Sequence, residues 1–382
     1  MSGKSSKLGL GPDGGLPPWK EGEKIDLKII HWCLWGPRVS GMYETVRELI
    51  QAENQIEGVL AGMCETPNSK APQLEVQQAA MGGKADTLFP TLRTQDWGYG
   101  MKWADVHMIH STMSKKVGEL KPKVFFHHGT PEACLANDLE KGSVSFMSAA
   151  EWTNKMEATF VTSKRAYEIW SAFDYDDKIH LIDKGIDLDW WKRSTTQQDI
   201  EGDPSILYGE IWRGIKHPLH LFYACKRLFE ENPKMRLNVW GLNVHQKFWE
   251  NFVQWTSCKD FIGKRGLKGI VDYPSHYYTR GDVLMSPGLY GDVSRTQQEA
   301  MACGCPVVSW DTDPYGDAHS YKYAKAFNTE DLAEKLMDVY NEVLDDREGV
   351  AQRSRNLAEK YFDINDEAKQ IVGILRQVVE ET

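Results

Sequence analysis

Short apolar runs alternate with amphipathic stretches along most of the chain, and the spacing predicts strands alternating with helices. Asp26–Trp35 (DLKIIHWCLW) is followed by Gly36-Pro37, by Ser40-Gly41 and then by a helical pattern over Tyr43–Glu53, the order strand, glycine turn, helix. Strand-like runs recur at Asp105–Ile109, Lys123–His127, Ala158–Thr162 and Lys178–Ile182. A second series begins near residue 204: strands at Ser205–Tyr208, Arg236–Trp240, Gly269–Val271, Asp282–Ser286 and Pro306–Trp310, with helices at His220–Glu231, Val244–Trp255 and around Glu299. This alternation predicts α/β architecture with parallel sheets covered on both faces. Helical patterns at Thr329–Leu344 and roughly Asp366–Val379 close the sequence.

A length of 382 residues suits two domains of roughly 150–200 residues each. Residues 1–24 are rich in Gly, Pro, Ser and Lys and are expected to be a flexible leader. Residues 25–195 form the expected first domain and 205–364 the second. The polar, aperiodic stretch 192–204 (KRSTTQQDIEGDP) is the expected linker, and helix 365–382 is expected to pack back on the first domain. Two such domains imply a cleft.

Composition narrows the function classes. With 41% apolar and 26% charged residues the chain has the balance of a soluble globular protein. It has no run of about 18 apolar residues and no apolar N-terminal segment, so the expected compartment is cytoplasmic. A net charge of −10 disfavours broad attraction to nucleic acid or anionic membrane, while leaving room for a local basic groove. The seven cysteines are scattered and odd in number, which argues against a disulfide framework. Cys303 and Cys305 lack a second Cys/His pair at zinc spacing, so packing is expected there and no metal site.

The chemistry concentrates in Leu289–Val308 (LYGDVSRTQQEAMACGCPVV), read as a loop, a helix beginning near Thr296, a stop at Gly304 and a buried strand. A loop-to-helix junction presents unpaired backbone N–H groups and a positive dipole end to anions and hydroxyls. Glu299 on the first turn can accept two hydrogen bonds from a ribose diol. Thr296-x-x-Glu299 equally fits a capping box, which only satisfies the helix end. The pairs Trp190-Trp191 and Tyr277-Tyr278 suit core packing, with stacking on sugars or bases as the other option. No Walker loop, Ser/His/Asp elbow or His-Glu-x-x-His is present.

Glu299 through Val308 resemble the hallmark of glycosyltransferase family 4, the large retaining GT-B group: Glu, seven residues, then Glu-Ala-Met-Ala-x-Gly-x-Pro-Val-Val. Lys178–Trp191 (KIHLIDKGIDLDWW) is similar to the family's KI-x-VI-x-NGID stretch, and Tyr273–Pro287 (YPSHYYTRGDVLMSP) to its YY-x-x-ADV-x-x-PS. The resemblance implies a GT-B fold, two Rossmann-like domains facing each other across a cleft. It implies transfer of a sugar from a nucleotide diphosphate sugar to a hydroxyl acceptor, a saccharide or glycoconjugate, with retention and without a metal or other cofactor.

The resemblance also carries site residues. Lys216, in Tyr208–Pro218 (YGEIWRGIKHP), matches the family's Lys; Glu210 stands where Arg is usual, and Arg213 is the nearest guanidinium. Such cations stabilise the charge that builds on a departing diphosphate. His128, in His127-His128-Gly129, matches a His placed near donor sugar and acceptor, with hydrogen bonding and acid/base work as its roles. Gly41 matches a glycine turn facing the donor phosphates. Around the helix start, Asp292, Ser294, Arg295, Thr296 and Glu299 are the implied donor-binding residues. The family's first Glu corresponds to Gly291, with Asp292 beside it. Three other readings stay open: a hydroxymethylated base in nucleic acid as acceptor, a sugar-nucleotide binder with weakened catalysis, and a sugar-nucleotide epimerase.

Overall fold

The computed structural model describes residues 20–33, 41–65, 92–94, 97–110, 119–142, 145–173, 177–196, 200–210, 216, 218–240, 246–263, 274–286, 288, 293–313, 315–316 and 319–382. The chain divides into two compact units, 1–187 with 364–382, and 188–363. The polar stretch 192–204 falls within the second.

The first unit runs β1 (Leu27–Cys33), α1 (Gly41–Glu53), β2 (Val59–Glu65), β3 (Leu92–Thr94), α2 (Trp97–Trp103), β4 (Val106–Ile109), β5 (Lys123–Phe126), α3 (Pro131–Lys141), α4 (Ser145–Lys155), β6 (Ala158–Val161), α5 (Lys164–Ser171) and β7 (Ile179–Leu181). Its seven strands are parallel in the order β3-β2-β1-β4-β5-β6-β7. The second unit runs β8 (Ser205–Tyr208), α6 (Pro218–Glu231), β9 (Arg236–Val239), α7 (Gln246–Thr256), α8 (Pro274–Arg280), β10 (Val283–Ser286), α9 (Arg295–Ala302), β11 (Val307–Asp311), β12 (Lys322–Lys325) and α10 (Thr329–Tyr361). Its five strands are parallel in the order β12-β11-β10-β8-β9. The last helix, α11 (Ile364–Glu381), belongs to the first unit.

Both faces of the first sheet are buried, which explains why its strands read as continuous apolar runs rather than as alternation. Ile29, Val106, Val124 and Phe160 pack under Val46, Leu49 and Ile50 of α1 and Ile371 and Leu375 of α11. The neighbouring positions Ile30, Trp32, Ile109, Phe125 and Val161 point to the other face, where Trp170 of α5 covers them. In the second unit Ile206, Leu237, Val283 and Val308 sit with Phe222 and Leu228 of α6 and Leu332 and Leu336 of α10.

Three strands were not legible in the sequence. The β2 segment (VLAGMCE) is poor in β-branched residues, yet it pairs with β1 over seven positions, so its partner rather than its propensity makes it a strand. The segments β3 and β12 are short and lie at sheet edges. The expected strand Gly269–Val271 lies outside the described residues. The helix expected over Thr329–Leu344 continues to Tyr361, broken only at Asp346 (φ −153°, ψ 75°). Asp346 Oδ1 accepts from the Gly349 amide at 2.9 Å, so that residue caps the second segment as Asn328 caps the first.

Candidate functional site

In a parallel open sheet, ligands bind beyond the C-terminal strand ends where the strand order reverses, because the helices that follow leave in opposite directions and open a crevice. In the second unit that point lies between β8 and β10, the two strands flanking the reversal. The residues just past those ends are Gly209 and Glu210 after β8, and Ser286 and Ser294 at and after β10. They form one polar cluster. Lys216 Nζ pairs with Glu210 Oε2 at 2.7 Å, with the Glu210 side chain 5% and that of Lys216 16% exposed. Ser286 donates to Glu210 Oε1 at 3.4 Å and shares a 3.2 Å hydrogen bond with Ser294. Thr296 Oγ1 donates to the Gly209 carbonyl at 3.5 Å. Gly209 has no alternative at this point, since a Cβ there would meet the Trp240 indole at 2.7 Å.

Helix α9 begins one residue earlier than the sequence suggests, and its cap is Ser294, whose hydroxyl accepts from the Gln297 amide at 3.2 Å. Of the two readings of Glu299, the capping box with Thr296 is therefore not formed. Its Oε1 accepts from Arg295 Nε at 2.7 Å and its Oε2 from the Tyr278 hydroxyl at 3.2 Å. Those two contacts, one on each oxygen, orient the carboxylate. Arg295 also lies over the Trp191 ring, 5.8 Å from its centroid, the geometry of a cation–π contact. Burial, followed by the Glu299 charge, pushes the Tyr278 hydroxyl well above its ordinary pKa, so it stays a donor. The thiols of Cys303 and Cys305 are pushed up chiefly by burial, as packed rather than reactive sulfurs.

The first unit holds a polar constellation of its own, again at the order reversal, here between β1 and β4. His128 follows β5 and is half-buried under a stacked Phe126 ring, centroids 4.5 Å apart. Its Nε2 is 2.8 Å from His110 Nδ1, His110 Nε2 is 2.9 Å from His31 Nδ1, and His31 Nε2 is 2.7 Å from Glu53 Oε2. Gly41 opens α1 with its backbone exposed, and its carbonyl accepts from Thr45 Oγ1 at 3.0 Å.

Of the residues singled out in the sequence, Lys216, Ser294, Thr296, Arg295 and Glu299 lie in the second unit and His128 and Gly41 in the first; Arg213 and Asp292 lie outside the described residues, as does Gly291. Sequence reasoning missed Tyr278 as the partner of Glu299 and Glu210 as the partner of Lys216. It also missed His31, His110 and Glu53 behind His128. A histidine inside or at the end of three apolar strands was the available signal, but partners 79 and 22 residues apart are joined only by the sheet and α1. Tyr277 and Tyr278 are buried, as are Trp191 and Trp240, which puts these rings in the packing rather than on the surface. Among the described residues no group of three or more His, Cys, Asp or Glu is placed to hold a metal. None of the described helices is long and apolar enough to cross a membrane.

Burial makes the first unit sensitive to acid through three of its histidines. The pKa of His128 falls to about 3 through desolvation, with the positive charge of Lys184 and then His127 adding to it. That of His107 falls to about 4 through burial and then Lys123, and that of His110 lies well below the ordinary 6.5 for the same leading reason. Each histidine stays neutral in the fold but takes a proton in the unfolded chain below about pH 6.5. The unfolded state thus binds more protons, and stability must fall as pH drops from 6.5 toward 4. Urea melts at pH 7.5, 6, 5 and 4.5 are expected to show this loss, with a slope approaching about 1.4 kcal/mol per pH unit for each such histidine. A flat profile across that window would contradict the burial of all three.

No protein-family model matches the chain, and no curated protein sequence matches it. Solved structures do. A sucrose-phosphate synthase from Thermosynechococcus elongatus matches with a TM-score of 0.69 at 16% identity, over 93% of this chain and 100% of that one. The Anabaena protein HepE, solved with UDP-glucose, matches with a TM-score of 0.62 at 14% identity, over 92% of this chain and 100% of that one. An alpha-glucosyltransferase solved with UDP-glucose and DNA containing an abasic site matches with a TM-score of 0.63 at 14% identity, over 92% and 99%. Two Rossmann-like parallel sheets together with these likenesses define the class: the chain has the GT-B fold.

Proposed function

We propose that this protein is a glycosyltransferase that moves a sugar from a nucleotide diphosphate sugar to a hydroxyl acceptor, a saccharide or glycoconjugate, with retention of configuration and without a metal. The observation that carries the reading is the cluster at the β8/β10 reversal, where a helix N-terminus capped by Ser294, an oriented Glu299 and the cation Lys216 come together. The helix end and Lys216 suit a diphosphate, and Glu299 suits the ribose hydroxyls. Lys216 would meet the charge that develops as the glycosidic bond breaks. Arg213, Asp292 and Gly41 join the same assignment through the family resemblance, and His128 would face the acceptor. A cytoplasmic location is part of the same proposal.

A second acceptor, a hydroxymethylated base in DNA, is favoured by one observation, the likeness to an alpha-glucosyltransferase solved with DNA. One experiment covers both. A panel of sugar nucleotides is screened by calorimetry, and donors that bind are incubated with saccharides and with hydroxymethylated duplex DNA. Nucleotide diphosphate release that depends on an acceptor, with the sugar found on it, is the expected result. Binding without turnover would reduce the protein to a sugar-nucleotide binder, and a changed sugar still on its nucleotide would make it an epimerase.

A further inference from the structure

Behind His128 lies a hydrogen-bonded row that the site described so far does not use. It runs from His128 through His110 and His31 to Glu53, in links of 2.8, 2.9 and 2.7 Å. His31, His110 and Glu53 are 0%, 2% and 0% exposed. The three rings continue one face of the adjacent strands β1, β4 and β5, and Glu53 ends α1, which packs on that face. The rings of His31 and His110 stack at 5.1 Å and 15°, so neither can turn without leaving its partner.

We propose that Glu53, His31 and His110 form a proton relay that keeps His128 Nδ1 unprotonated, as the acceptor for a substrate hydroxyl, and carries the proton it takes up to the Glu53 carboxylate.

The proton count decides the arrangement. Each link needs one hydrogen, and three neutral imidazoles supply three. A carboxylate can only accept, so His31 Nε2–H donates to Glu53; His110 Nε2–H then donates to His31 Nδ1, and His128 Nε2–H to His110 Nδ1. Every ring hydrogen points toward Glu53, and His128 Nδ1, with no partner among the described residues, is left with its lone pair. Sequence resemblance asked for a histidine here; the row behind it decides which nitrogen is bare and in which direction a proton travels.

His128 alone is a poor proton store. As an imidazolium it is held to a pKa of about 3 by desolvation, Lys184 and His127. The relay removes that penalty, because the positive charge need not stay. When a hydroxyl bound at His128 loses its proton to Nδ1, the Nε2 hydrogen passes to His110 Nδ1. The His110 Nε2 hydrogen passes to His31 Nδ1, and the His31 Nε2 hydrogen to Glu53 Oε2. All three rings end neutral in the opposite tautomer, and Glu53 ends as the neutral acid. Meanwhile, on the face from which the phosphate departs, as retention requires, the hydroxyl oxygen bonds to the anomeric carbon and the bond to the leaving phosphate breaks, its electron pair going with the phosphate. The array thus goes from one negative charge to none, which a desolvated site favours. Glu53 Oε1 has no hydrogen-bond partner among the described residues, so the carboxylate's charge is met on one oxygen only. The other charges on these elements are engaged elsewhere: Arg47 with Glu44 and Glu48, Glu48 with the Asp187 amide, and Glu367 with the Gly185 amide.

The relay rests on the reading of a hydroxyl acceptor, and its test separates the two. Nitrogen NMR of the histidine rings in the full chain is expected to show His31, His110 and His128 protonated at Nε2 near neutral pH. On acidification the three should switch together to Nδ1–H as the Glu53 carboxyl carbon reports protonation. Nδ1–H on any of the three at neutral pH, or an isolated imidazolium as the first acid form, would overturn the relay. In E53Q the amide oxygen still accepts from His31, but no proton can be stored; the concerted switch should vanish. The kcat should fall at least about tenfold, with donor KM within about twofold, since positioned proton transfer contributes roughly 10²- to 10⁴-fold. An E53Q variant with wild-type kcat would also overturn it. A wild-type chain that switches tautomers but transfers no sugar would keep the array and remove the transferase reading.

Discussion

Replacing Lys216 with alanine is expected to lower sugar transfer at least about tenfold, because a fixed cation at a departing diphosphate is worth a few kcal/mol in the transition state. The same change should cost stability. Lys216 is paired at 2.7 Å with Glu210, a nearly buried carboxylate. Stripping one partner from a fully buried pair costs roughly 3–5 kcal/mol, and about 2 kcal/mol is expected where the lysine still reaches the surface. The two effects separate in the double variant E210Q/K216A, in which no charge is left unpaired. Urea melts should recover most of the lost stability while steady-state turnover stays low. If turnover recovers along with stability, Lys216 is a structural partner of Glu210 and the departing phosphate is met by another group. The pair also explains how the chain tolerates Glu where the family resemblance leads one to expect Arg: Glu210 turns inward to hold Lys216 rather than outward to a phosphate.

Glu299→Ala is expected to weaken nucleoside diphosphate binding by about 10- to 100-fold, as two hydrogen bonds from ribose hydroxyls to a charged acceptor are worth about 1.5–3 kcal/mol each before compensation. Calorimetry with a panel of nucleoside diphosphates reads the loss. Glu299→Gln keeps one acceptor oxygen and should fall between. Alanine also leaves the Tyr278 hydroxyl, on a residue 2% exposed, without the partner it has now. That costs about 1–3 kcal/mol, and the companion change Tyr278→Phe should return part of it without restoring affinity. Unchanged affinity in a folded Glu299→Ala protein would remove the ribose assignment.

The two polar clusters, one in each unit, were legible to different degrees. Glu299 stood out because its motif is continuous in sequence: loop, helix start, glycine stop and buried strand follow one another within Leu289–Val308. Its helix cap still lay two residues from the Thr296 of the capping-box reading, since Ser294 and Thr296 are both good caps and only the backbone path decides between them. Lys216 was visible as a cation; its role beside Glu210 was not, because a Glu six residues before it matches no strand or helix period that predicts contact. His128 was visible as a residue, whereas the row behind it was not. Its members stand at positions 31, 53, 110 and 128 and are brought together only when β1, β4 and β5 become neighbours.

The sequence by itself determined the α/β class, two runs of strand–helix units and the position of the Glu299 segment, because hydrophobic periodicity and turn residues act over a few positions and are written locally. Strand order was decided by the tertiary structure, and with it the two reversal points at β1/β4 and β8/β10 where polar side chains collect. The partners of those side chains were decided there too. Tyr278 and Arg295 aim Glu299, Glu210 holds Lys216, and Glu53 meets His31 at the end of a row of three histidines. Each depends on distances across a sheet or from a helix to a strand end, and a linear pattern holds no record of which buried polar group will satisfy which.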